Sequence, residues 1–406
     1  MSSKLRRPAG VTAAGLGVVG LALFLNGCGG SSYSSQFISC STPQRHYDLS
    51  GKRRGRPSLV AVGRNGGTSV LYAMGKSGIA YESRTHGSTW QRLGRGLQGV
   101  PCALAALDPQ RPQLMFATNG DELARSVDAG GHWTTLKLPG SARATGVAVQ
   151  PGDDGIVYAW GFGGGHGGLT PGPPPGGIFR SDDAGVTWKK IGSYEPDAVA
   201  PAASASGMLL VAAETGLYVS TDAGAHWQTL GRGLPHPYAN GEDNYNLAAI
   251  APASANIAFA SGSSQRQMNR GHYSGQFTFI VFRTTDGGSS WTPSLRLLDT
   301  SQIAFAPGSS SVAYVLGDQA NGTYTDTTKF HLFRTDDSGR HWQKFTGEVP
   351  GQSTSVATVS RSNPNQLATL KADPVTPRIL YGQTVGGRFA RSLDGGRTWT
   401  FLPAPT

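Results

Sequence analysis

Six aspartates recur along the chain inside one eight-residue phrase, and carboxylates repeated so regularly are candidate acids, bases or cation ligands. The phrase is Ser/Thr-x-Asp-x-Gly-x-x-Trp, hereafter the box, and its carboxylates are Asp128, Asp183, Asp222, Asp286, Asp337 and Asp394. These copies close on Trp133, Trp188, Trp227, Trp291, Trp342 and Trp399. A worn first copy at 83–90 has Thr85 in the Asp place and closes on Trp90. The letters favour a staple over chemistry. A short carboxylate near a Gly is a tight-turn signal: it bonds nearby backbone N–H groups, and Gly takes the positive φ the turn needs. Ser or Thr adds a second side-chain bond to the backbone. The Trp is expected to open the next strand and bury its ring between sheets, removing about 150–250 Å² from water.

A second set of reactive groups lies between the boxes. His166 stands in a Gly-rich run at 162–168; His236, Tyr238, Glu242, Asp243 and Tyr245 follow the fourth box; Arg266, Arg270, His272 and Tyr273 follow soon after. Aromatic, carboxylate and guanidinium groups together suit a sugar or an acidic ligand, which makes His166, His236, Arg266, Arg270, His272 and Tyr273 candidate ligand contacts. The same residue types also decorate solvated loops. Catalysis by paired carboxylates needs two acids about 5–9.5 Å apart. Glu242 and Asp243, with Tyr238 and Tyr245, are the weak candidates, since adjacency in sequence sets no such distance.

Other chemistries lack their residues. The nine His are dispersed, with no His-Glu-x-x-His and no Cys pair at metal spacing, so no metal is expected. The Gly-rich run has no Gly-Lys-Ser/Thr and no helix start after it, so it is no phosphate loop, and no cofactor is implied. Net charge is +10, but the basic residues are scattered without an aromatic-interleaved stripe, which argues against nucleic acid. His132, His226 and His341 fill the variable place before a box Trp and read as exposed turn residues.

The elements that must position these groups follow from the repeat. With 58 Gly and 25 Pro in 406 residues and 15% charged side chains, the profile is one of short strands and tight turns. Box tryptophans run from Trp90 to Trp399 in six steps of about 51 residues, enough for four strands each. Seven copies therefore predict an all-β chain, a seven-bladed β-propeller over 58–406. The spacing is uneven. Extra residues fall between second and third strands at 162–177, 263–276 and 318–329, and between blades at 235–246 and 347–363. Both kinds of connection emerge on the face opposite the boxes, so all five insertions are expected to gather there, where binding loops usually sit on a rigid scaffold.

The repeated phrase resembles the Asp-box, or bacterial neuraminidase repeat, and the chain over 58–406 is similar to the Asp-box β-propellers. That group includes sialidases, xyloglucanases, sortilin-type receptors and photosystem assembly factors, so the resemblance implies a fold more than an activity. Sialidases open with Arg-Ile-Pro; the matching stretch here is Gly55-Arg56-Pro57. The Arg stands one place late, a slip that moves a side chain to the opposite strand face. The photosystem assembly factors are seven-bladed and often lipoproteins, without their arginine-rich patch here. Two functions follow: a binding or assembly scaffold for a glycan or cell-envelope protein, or a glycoside hydrolase of sialidase or xyloglucanase type.

Residues 1–28 read as a lipoprotein signal peptide. Lys4, Arg6 and Arg7 precede an apolar stretch at 11–25, which ends in Leu25-Asn26-Gly27-Cys28, similar to a lipobox with Cys28 as the lipidated residue. Export with a lipid anchor to the bacterial cell membrane or outer membrane, facing outside the cytoplasm, is the expected localisation. Residues 29–57 form a Ser-rich then basic tether, and Lys52-Arg53-Arg54-Gly55-Arg56 would lie near the bilayer. Cys40 and Cys102 remain after processing; they either bridge in an oxidising compartment or leave Cys102 as a small buried hydrophobe. A monomer is expected.

Overall fold

The computed structural model describes most of residues 58–405. Residues 1–57, the connections at 94–102, 162–175, 231–243, 265–277, 319–329 and 351–363, and some short turns lie outside the described residues. Twenty-eight strands form seven four-stranded antiparallel sheets, each from one continuous piece of chain: 58–92, 103–136, 146–192, 196–230, 244–297, 299–346 and 367–402. These are blades 1 to 7. First strands of consecutive blades touch all round, including Ser58–Asn65 against Leu367–Ala372, so the sheets close into a ring with first strands innermost. This is the seven-bladed β-propeller.

Burial explains why the blades need one another. Second and third strands are buried on both faces, as in Leu209–Ala213 and Gly216–Ser220 of blade 4, because each sheet is sandwiched between two others. They therefore read as continuous Ala, Leu, Val and aromatic runs rather than alternating ones. Fourth strands are mostly exposed. Antiparallel order puts the first-to-second and third-to-fourth turns on the box face. The second-to-third turns and interblade connections lie on the other, the loop face.

The box Trp begins no strand: the fourth strands start one residue later, at Gln91, Thr134, Lys189, Gln228, Thr292, Gln343 and Thr400. Trp291 and Trp399 are buried and the other five box rings half-buried. Each ring placed in a core cluster packs on the preceding blade, Trp227 with Ile178 and Ile191 and Trp342 with Phe259.

The box turn also holds a second left-handed residue. Beside the Gly, the letter before it has positive φ, at 57° in Ala184 and 61° in Ala223. Only the fifth letter must be Gly, and for a reason beyond φ. A Cβ on Gly224 would stand 2.5 Å from Ile191 Cδ1, a side chain of the previous blade that packs onto the bare backbone. Gly224→Ala should cost about 2–4 kcal/mol from left-handed strain plus overpacking. Ala223→Gly, equally left-handed but free of that contact, should cost nothing. Urea denaturation of both variants checks the contrast.

Two glutamines extend the ring's hydrogen bonding. Gln302, on the first strand of blade 6, gives its Nε2–H to Leu370 O and takes Leu370 N–H on Oε1, both at 2.6 Å. Gln150 donates to Ala202 O at 2.6 Å between blades 3 and 4. A carboxamide has the donor and acceptor of a peptide group, so it can stand in for a missing strand neighbour.

Candidate functional site

The loop face is built on closed ladders. The connection at 162–176 springs from paired Gly161 and Gly177, that at 265–277 from Ser264 and Thr278, and that at 319–329 from Asp318 and Phe330. Ser263, Ser264 and Asp318 are therefore strand residues, and these insertions start later than the sequence grammar placed them. Pairing also shortens the 347–363 insertion: Glu348 bridges Gln366, and Leu367 N–H donates to Gly347 O at 2.7 Å. Trp160, the one Trp outside a box, is buried beside Ile178, and its carbonyl accepts Thr145 N–H at 2.8 Å. A Cβ on Gly161 would collide with Arg143 O, so backbone closely backs the first stem.

Among the loop-face candidates, Tyr245 is placed in the first strand of blade 5, opposite Gly262, and not in the connection before it. The extended 244–251 pairing absorbs the end of that insertion. His166, His236, Tyr238, Glu242, Asp243, Arg266, Arg270, His272 and Tyr273 lie outside the described residues, as do Cys28, Cys40 and Cys102. Among the described residues, no group of three or more His, Cys, Asp or Glu is placed to hold a metal.

On the box face the six box carboxylates are each occupied by their own turn. In blade 4, Ser220 Oγ donates to Asp222 Oδ1 at 2.8 Å and accepts Gly224 N–H at 2.8 Å. Asp222 Oδ1 also takes His226 N–H at 2.8 Å, and Oδ2 meets His226 Nδ1 at 2.6 Å. Thr187, Ser290 and Thr398 hydroxyls make that last bond, also at 2.6 Å, where the seventh letter is not His. The backbone N–H of His132 and His226, then their rings, hold Asp128 and Asp222 at about 2. The hydroxyls of Thr187 and Ser290, then their N–H groups, do the same for Asp183 and Asp286. A carboxylate held ionised that firmly has no proton to give near neutrality. His132, His226 and His341 are exposed, at 89%, 88% and 90%, yet bonded to these acids rather than idle.

A repeated arginine escaped the sequence reading. Arg125, Arg180, Arg283, Arg334 and Arg391 each stand immediately before a box Ser or Thr. Arg180 and Arg391 link blades: Arg180 Nη1 donates to Ala223 O of the next blade at 3.4 Å, and Arg391 Nη1 to His86 O at 3.2 Å. The signal was present as Arg-Ser/Thr-x-Asp, one letter longer than the phrase.

The worn box is the most connected. It sits where blade 1 meets blade 7, and among the described residues no strand is exchanged there to close the ring. His86 Nδ1–H donates to Tyr381 Oη at 2.6 Å, and Tyr381 Oη–H to Asp373 Oδ2 at 3.0 Å. Ser69 Oγ–H donates to Asp373 Oδ1 at 2.6 Å, and Asp373 is fully buried. Burial first, then the Asp373 carboxylate, pushes the Tyr381 phenol far above its ordinary value, so it stays a donor. Trp90 adds Nε1–H to Pro403 O at 2.9 Å. A carboxylate–phenol–imidazole chain resembles an acid–base relay, but its hydrogen bonds tie blade 1 to blade 7, and the Ser69 hydroxyl on Asp373 is buried.

No protein-family model matches the chain. Two curated proteins share sequence with it. The dispase autolysis-inducing protein of Streptomyces mobaraensis is 29% identical over 277 residues, covering 57% of this chain and 70% of that one. A xyloglucanase of Paenibacillus sp is 26% identical over 321 residues, 72% of this chain but 25% of the enzyme. Among solved structures, the GH74 xyloglucanase of Xanthomonas campestris superposes with a TM-score of 0.57 at 17% identity. It matches 86% of this chain and 54% of its own. The chain thus spans a quarter to about half of the xyloglucanases it matches, and the structural likeness concerns the fold.

Proposed function

We propose that this chain is an Asp-box propeller that works as a binding scaffold, exported and held to the cell envelope by lipid at Cys28. A protein or glycan partner is captured by the long loops of the loop face. The observation that carries the reading is the gathering of lengthened connections on one face, on stems locked by ladder pairing and backbone packing. A relative named for inducing autolysis of dispase supports an action exerted on another protein.

A second reading, glycoside hydrolysis, is favoured by the sequence likeness to a xyloglucanase over 72% of this chain. Glu242 and Asp243 would be its acids, with Tyr238 and Tyr245 beside them. The two readings separate on purified chain. As a scaffold it releases no sugar from xyloglucan or sialosides, and shortening 265–277 leaves the melting temperature in place while abolishing capture on glycan and envelope-protein arrays. Turnover that falls by about 10²–10⁴-fold in Glu242→Gln or Asp243→Asn would establish the hydrolase instead. Cys28→Ser should end metabolic palmitate labelling and release the chain from membranes; wild type that never labels removes the anchor from the proposal.

A further inference from the structure

Seven-fold repetition lets equivalent positions be compared around the ring. In every blade the box Ser or Thr pairs with one second-strand residue, and the next residue along that strand pairs with the first strand. The first-strand residue reached in this way is Ala in six blades: Ala61, Ala106, Ala148, Ala200, Ala249 and Ala304. In blade 7 it is Lys371, opposite Tyr381. Ala106, Ala148, Ala200 and Ala304 are buried, and so is Lys371, at 3% exposure. A methyl group satisfies the packing at this position everywhere else, so the fold itself does not call for an ammonium.

Among the described residues nothing offsets that charge. Directly opposite residues share a sheet face, so Lys371 lies with Tyr381 on the face of blade 7 turned to blade 1. Asp373, two residues on, shares that face but is engaged elsewhere, Oδ1 by Ser69 Oγ–H and Oδ2 by Tyr381 Oη–H. Burial alone acts on the Lys371 ammonium, lowering it to about 7. Thr369, two residues earlier on the same face, is a second unmet donor, its Oγ1 buried without a partner. The equivalent residue of blade 6 is Gln302, whose carboxamide spans the joint to Leu370. Threonine is too short for that span. The joint between blades 7 and 1 therefore carries an ammonium and a hydroxyl where the joint between blades 6 and 7 carries a closed bridge. A buried cation without a counter-charge and a buried hydroxyl without a partner both cost stability, and one acceptor between them would relieve both.

We propose that Lys371 and Thr369 form a binding site for a small oxyanion, a phosphate or a carboxylate, seated in the joint between blades 7 and 1 beside the ring axis. The ammonium supplies charge and the hydroxyl a directed hydrogen bond, a pair of donors that suits a group able only to accept. First strands are innermost, so the anion enters along the axis rather than from the rim. The site is built from strand residues and uses none of the long connections, so it stands or falls independently of the function proposed for them.

The test is equilibrium dialysis of the full chain at pH 6, in chloride buffer of fixed ionic strength, against radiolabelled inorganic phosphate and separately against radiolabelled acetate. Wild type should bind at least one of the two at a single site per chain, and the anion that binds more tightly names the source of the oxyanion. Lys371→Met should weaken that binding about tenfold or more, and Thr369→Val by a smaller factor. Melting curves of both variants, recorded without either anion, show that they remain folded. The inference is overturned if neither anion binds, or if Thr369→Val is without effect. Binding undiminished in Lys371→Met overturns it too, because the anions would then sit on exposed surface cations.

Discussion

Asp373→Ala should open the ring at one place. The carboxylate accepts Ser69 Oγ–H, Tyr381 Oη–H and the N–H groups of Val375 and Thr376, the last two at 2.8 Å, in a site with no solvent exposure. Truncation strands those donors, for a cost of about 3–5 kcal/mol by the measure of broken buried charged networks. The location matters as much as the size. Each blade is one continuous piece of chain, and among the described residues blades 1 and 7 are joined through side chains: Ser69, His86, Trp90, Tyr381 and Arg391 by hydrogen bonds, and Leu71, Ala73 and Phe389 by apolar packing. Hydrogen exchange of Asp373→Ala should therefore lose protection first in 58–92 and 367–402, with blade 4 protected longest. A uniform loss in all blades would mean that Asp373 is an ordinary core acceptor and the seam no weaker than other joints. Asp394→Ala, a box carboxylate in blade 7, serves as the comparison, with an expected cost of about 0.5–3 kcal/mol.

The repeat made the propeller legible because the box turn is closed locally. Hydroxyl, carboxylate, Gly and the seventh letter bond one another within eight residues, so their spacing survives in sequence. The side of the insertions was legible too, since antiparallel order assigns every connection to a face. What escaped was contact between blades. Arg180 and Arg391 read as polar strand residues until the next blade supplies a carbonyl. Gln302 looks out of place in an apolar strand until Leu370 lies across from it. Thr85 in the Asp place made the first copy read as worn, whereas Thr85 and Thr89 keep the turn closed with a 2.7 Å bond while His86 turns to blade 7. Partners some 300 residues apart leave no local spacing to read. The candidate ligand contacts were less legible still, because residues such as Arg266 and Tyr273 lie in a connection that the repeat does not constrain.

Lys371→Met should stabilise the protein, and more at low pH than at high. Lys371 lies in the innermost strand of blade 7, opposite Tyr381 on the second strand and two residues before Asp373. It is 3% exposed, and burial lowers its ammonium from 10.5 to about 7. Between those values the unfolded chain holds a proton the folded one has lost, so stability rises with pH from about 7 to 10.5. Below 7 both states are charged and the full desolvation cost is present. Met keeps the stem's length and removes the charge, so the gain should be on the order of 5 kcal/mol at pH 6 and shrink toward zero by pH 10. Urea midpoints at pH 6, 8 and 10, read as the difference between variant and wild type, give that curve directly. A gain independent of pH would mean that packing rather than the proton is responsible. A loss at pH 6 would mean that the ammonium is held by an acceptor strong enough to offset its burial.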